Sequence, residues 1–157
     1  MEKEERYKEL TAQLASLTAG EHDETSVMAN AAALLHGAFG FWWTGFYRVQ
    51  AGELLLGPFQ GPVACYHIAL GRGVCGTAWQ RKETVVVADV EQFPGHIACS
   101  AESKSEIVVP LFDPKGDVRA VLDIDSRELN TFDDTDRQWL ERYCELIATR
   151  IYHDEKK

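Results

Sequence analysis

The pairing of a thiol and an acid in one short stretch is the first sign of chemistry. Within GHIACSAESKSEIVVP, Gly95 to Pro110, Cys99 sits in a loop of small residues, and Glu106 follows seven positions later at the start of an apolar run. A thiol acts as a nucleophile only once deprotonated, and a nearby carboxyl can carry a proton to or from the reacting group. Packing is the alternative reading of the same pair.

The chain contains three further cysteines, Cys65, Cys75 and Cys144. Cys144 falls between Tyr143 and the Leu146/Ile147 pair of a helical pattern, where a cysteine serves as a small apolar filler. The others stand at loop or element edges, in GPVAC, GRGVCG and GHIACS. A zinc site built from them with His67 or His96 is disfavoured by spacing: the cysteines lie ten and twenty-four residues apart, and no CxxC occurs. Three thiols so spaced fit one nucleophile with one or two partners that close a disulfide on it. No metal and no cofactor is expected.

Two more carboxylates join them. In VLDIDS, Asp123 and Asp125 are two apart on a strand, so they share one face while Leu122 and Ile124 take the other. If this strand pairs with EIVVPLFD through the turn Asp113-Pro114-Lys115-Gly116, Glu106 approaches both aspartates. A solvated sheet edge is the bland account of such acids. Crowded in an apolar setting, however, carboxyls raise one another's pKa, and one can stay protonated as a general acid. Trp43 and Tyr47, four apart on a strand, also share a face, either as core or as the wall of a pocket.

The elements that must position these groups are legible. Residues 2–18 and roughly 23–36 read as helices, with Leu10, Leu14 and Leu17 on the inner side of the first and Gly37 as the stop of the second. FWWTGFYRV and ELLLGPF form a hairpin about Ala51-Gly52, after which Pro58, Gly61 and Pro62 break the chain into loop. Gly71-Arg72-Gly73 opens a short helix, TVVVADV is a short buried strand, and Glu91 to Ser105 is a long loop of the kind that carries function. Two strands and a last helix, N-capped by Thr131, complete the chain.

This order gives an α+β domain: a central, mainly antiparallel sheet with N- and C-terminal helices on one face and long loops over the other. The length of 157 residues suits a single domain, divided into helices over 1–37, sheet and loops over 41–128, and a terminal helix over 131–153. Net charge is −9, from 16 Lys plus Arg against 25 Asp plus Glu, with no basic stripe, which argues against nucleic acid. No apolar run approaches the ~20 residues of a membrane span, and MEKEERYKEL lacks the apolar core of a signal peptide. A cytoplasmic location follows as the expectation, where permanent disulfides are disfavoured.

The strings WTGFY, LLLGPFQGPVACYHIALGRGVCGTAW, DVEQFPGHIACSAESKSEIVVPL and VLDIDS resemble the free methionine-(R)-sulfoxide reductases, a family built on the GAF fold. The resemblance implies reduction of free methionine-(R)-sulfoxide, with Cys99 as nucleophile, Cys65 as the main resolving cysteine and Cys75 as an auxiliary in thiol exchange. It implies that Trp43 and Tyr47 wall the substrate methyl, and that Glu106, Asp123 and Asp125 hold its amine and sulfoxide oxygen. It further implies an intramolecular disulfide recycled by thioredoxin, and it leaves a homodimer open. Ser100 departs from the pattern, since members commonly carry Asp after the nucleophile. The rival readings are a GAF small-molecule sensor or a thiol redox sensor without turnover.

Overall fold

A computed structural model describes residues 1–96 and 102–153. Helices α1 (Lys3–Leu17) and α2 (Glu24–Phe39) lead into strands β1 (Trp43–Gln50), β2 (Glu53–Gln60) and β3 (His67–Ile68). Helix α3 (Gly73–Arg81) precedes β4 (Val85–Val87), a single 3-10 turn at Val90–Gln92, β5 (Ser105–Phe112), β6 (Val118–Ser126) and α4 (Asp134–Ile151). The six strands form one antiparallel sheet in the order β3-β2-β1-β6-β5-β4.

The sheet is covered on both sides, which is why its central strands are apolar almost throughout. Phe46, Ile107, Val109, Leu111, Ala120, Leu122 and Ile124 pack on α1, α2 and α4. The alternate residues Trp43, Tyr47, Val85, Val87, Val108 and Val121 form a second apolar cluster with Val74, Cys75 and Ala78 of α3. The terminal helices therefore take one face as expected, and the opposite face carries α3 as well as loops. The helical layer is tied by buried polar bonds: the Tyr7 hydroxyl donates to Asp136 at 2.6 Å, and the Tyr143 hydroxyl to the Ala31 carbonyl at 2.7 Å.

Four local expectations are corrected. Helix α2 runs past Gly37 and stops at Gly40, whose φ of 67° is the left-handed conformation that ends a helix without steric cost. Leu17, in the last turn of α1, is exposed. β2 continues through Pro58 to Gln60, because a register shift between Gly45 and Tyr47 sets the proline at a bulge, where its missing N–H breaks no ladder bond. The cap of α4 is Asp133, in a reciprocal capping box with Asp136; the Thr131 hydroxyl pairs instead with Ser126 at 2.6 Å. Among the described residues, no helix is long and apolar enough to cross a membrane.

Candidate active site

Strand register assembles the acids. Glu106 on β5 lies opposite Asp125 on β6, and Val108 opposite Asp123. On the other flank of β6, Trp43 lies opposite Asp125 and Gly45 opposite Asp123. The two-residue alternation of strands then turns all of these toward α3 rather than toward the helical layer. The first turn of α3 brings Cys75 down onto them: one donor atom each from Cys75, Glu106 and Asp123 lie within 4.8 Å of one another.

These groups are almost wholly removed from water, with Cys75 at 4%, Glu106 at 5% and Asp123 at 6% exposure. Burial raises the pKa of Glu106 well above the carboxylate range, and the charges of Asp123 and Asp125 push it further. Asp125 is raised well above its ordinary value, first by burial and then by Asp123, against a hydrogen bond from the Ser103 hydroxyl at 3.1 Å. Asp123 is also raised by burial, opposed by hydrogen bonds from Glu106 and Cys75. The Cys75 thiol is pushed up by burial and by the three acids. Burial and mutual repulsion thus favour retention of protons on the acids of the cluster.

The aromatic wall does a second job. The Trp43 ring is stacked between Tyr47 and Phe59, with centroids 5.9 and 5.1 Å away. Gly45 makes this possible, since a Cβ there would collide with the Cβ of Phe59 and come within 2.7 Å of the Trp43 ring. The polar tips of the two rings fasten the following loop: the Trp43 indole N–H donates to the Pro62 carbonyl and the Tyr47 hydroxyl to the Cys65 carbonyl, both at 2.9 Å. Cys65 is disulfide-bonded, whereas Cys75 and Cys144 carry free thiols. Cys144 is buried in the α4 packing, as expected. Cys99 and Ser100 lie outside the described residues.

Trp43, Tyr47, Cys75, Glu106, Asp123 and Asp125 all line one cavity of about 60 Å³. Cys65 adjoins it through Ala64. Sequence reasoning missed Arg72 and Ser103 as further polar lining, and weighed His96, which also lines the cavity, only as a metal ligand. Ser103 sits just before β5 in a polar run without periodicity, so nothing in the sequence marks its contact with Asp125. Gly45 did leave a signal, a glycine within an aromatic strand two residues from Trp43.

The GAF domain family matches residues 10–151. The chain is 51% identical over 146 residues to GAF domain-containing protein A of Dictyostelium discoideum, covering 92% of each. It is 46% identical to the free methionine-R-sulfoxide reductase of Escherichia coli, covering 97% of this chain and 94% of the relative. The solved structure of free methionine-R-sulfoxide reductase from Neisseria meningitidis, in complex with its substrate, superposes with a TM-score of 0.93 at 49% identity, covering 96% of this chain and 90% of that one. This chain belongs to the free methionine-R-sulfoxide reductase family.

Free methionine-R-sulfoxide reductases are oxidoreductases acting on a sulfur group. In this chain the cavity combines acids and stacked aromatics, with the disulfide-bonded Cys65 next to it.

Proposed function

We propose that the protein reduces free L-methionine-(R)-sulfoxide to methionine, with Cys99 as nucleophile and Cys65 as resolving thiol. The observation that carries this reading is the acid cluster of buried Glu106 and Asp123 with half-buried Asp125, lining one cavity with Trp43 and Tyr47. A sulfoxide becomes an electrophile only when its oxygen is protonated or strongly hydrogen-bonded, and a carboxylic acid kept neutral there supplies that proton. The Cys99 thiolate attacks the protonated sulfoxide at sulfur, and an S–S bond forms as the S–O bond breaks and the oxygen leaves as water. A water then attacks the Cys99 sulfur, the S–S bond breaks, methionine leaves, and Cys99 is left as sulfenic acid. The Cys65 thiol then attacks the Cys99 sulfur, expelling water and closing a disulfide. A dithiol partner, thioredoxin, takes the place of the broken S–S bond with its own and returns two thiols. No prosthetic group enters this balance.

The same acids account for the preference for a free amino acid. One carboxylate holds the substrate ammonium, a charge that a methionine sulfoxide within a peptide chain lacks, so a closed acidic pocket rejects the peptide. The cytoplasm, with its reducing thiol pool, is the compartment that suits a disulfide regenerated at every cycle.

Incubation with racemic free methionine sulfoxide and dithiothreitol, followed by chiral analysis, tests the proposal. The R epimer is consumed and methionine accumulates. Persistence of both epimers would refute it.

A further inference from the structure

The structure assigns a second ligand to this pocket: we propose that Cys75, Glu106 and Asp123 bind a zinc ion, which occupies the acid cluster as an inhibitor rather than as a cofactor. The site rests on the pocket described above, and its inhibitory effect rests on the proposed function.

The donor set is the first observation. One sulfur and two carboxylate oxygens, from α3, β5 and β6, converge within 4.8 Å of one another, and their neighbours are positioned by strand pairing rather than by a flexible loop. Tetrahedral zinc with bonds of about 2.0–2.3 Å sets its ligand atoms about 3.5 Å apart, so the three donor atoms have at most about 1.3 Å left to close. A thiolate beside carboxylates selects a borderline-soft divalent ion over calcium or magnesium, which prefer oxygen alone. The second observation is independent of that convergence. Asp123 is 94% removed from solvent, and although Glu106 and Cys75 hydrogen-bond to its carboxylate, its Oδ1 atom is buried without a hydrogen-bond partner. An orphaned carboxylate oxygen in a dry cavity is costly unless a cation reaches it. His96 lines the same cavity, so a nitrogen ligand stands within the same enclosure.

The chemistry balances without a redox partner. Zinc displaces the proton of the Cys75 thiol and the protons retained by the carboxyls, and these are released to solvent. The ion then holds the oxygens that would otherwise receive the substrate ammonium, and it ties up the Cys75 sulfur. Spacing along the chain could not reveal the set, because the residues lie far apart in sequence and meet only through the β5–β6 ladder and the packing of α3.

Cobalt(II) titration of the full chain in its disulfide form is the test. With Cys65 joined to Cys99, as the proposed cycle has it, and Cys144 inside the α4 core, Cys75 is the thiol that a metal in the cavity meets. One cobalt per chain produces a thiolate-to-cobalt absorption band, which zinc then abolishes. Cys75→Ala removes the band, and Asp123→Asn, which keeps the thiol and the side-chain volume, weakens cobalt binding at least tenfold. A wild-type protein with no band, a band that survives in Cys75→Ala, or unchanged affinity in Asp123→Asn would each overturn the assignment. The spectrum is read without turnover, so its absence leaves the reductase proposal standing, and an inactive enzyme still leaves the band to be read.

Discussion

The Tyr47 hydroxyl donates to the backbone carbonyl of Cys65 at 2.9 Å, so a residue of the pocket wall also holds the loop of the disulfide-bonded cysteine. Tyr47→Phe keeps the ring and removes only this bond, a loss of about 1 kcal/mol. Methionine release in the first turnover stays within about twofold. Steady-state turnover with a dithiol falls several-fold, because the loop no longer presents Cys65 in one position. Rapid-quench measurement of the first turnover beside the steady-state rate separates the two effects.

Burial of Glu106 costs stability at neutral pH, and Glu106→Gln exposes that cost. A carboxyl whose pKa is raised on folding binds protons more tightly in the folded state, so stability falls as pH rises above its ordinary value of 4.5 toward the raised one. Glutamine does not titrate. The variant therefore melts higher than wild type at pH 7.5, by a few degrees for each ~1 kcal/mol relieved, and the difference shrinks toward pH 5. Its activity drops about 10²–10⁴-fold, the usual worth of a general acid. Melting curves across pH and a kcat/KM measurement check both halves.

Ser103 tunes the cluster in the opposite sense. Its hydroxyl favours ionised Asp125, so Ser103→Ala raises the pKa of the coupled acids and keeps the proton on the cluster to higher pH. The alkaline limb of kcat/KM moves upward by up to about one pH unit. A downward movement, or none, would remove Ser103 from the account.

Gly45 tests the wall. An added methyl meets Phe59, including its Cα at 2.9 Å, so β2 as well as the Trp43 ring must yield. Gly45→Ala costs about 1–3 kcal/mol of stability, as overpacking does. KM for the sulfoxide rises more than kcat falls, which steady-state kinetics will show.

Much of this site was legible because it lies on strands. The alternation in VLDIDS gave the face of Asp123 and Asp125, and the turn at Asp113–Gly116 gave the approach of Glu106, both of which the register bears out. The partners of Cys75 were hidden, since helix α3 could have packed on either side of the sheet. Ends and breaks were misread where a neighbour overruled a local rule: Pro58 rests in a bulge that only the pairing with β1 creates, and Gly37 has no left-handed turn to make because α2 continues to Gly40. The role of Cys99 rests on its resemblance to the family and on the acids around the cavity.

That role has a direct measurement: methionine released per enzyme from pre-reduced protein with no external reductant. Wild type should release about one equivalent and stall as a disulfide, Cys65→Ser about one and stall with oxidised Cys99, and Cys99→Ser none. Repeated turnover by Cys99→Ser would contradict the central claim.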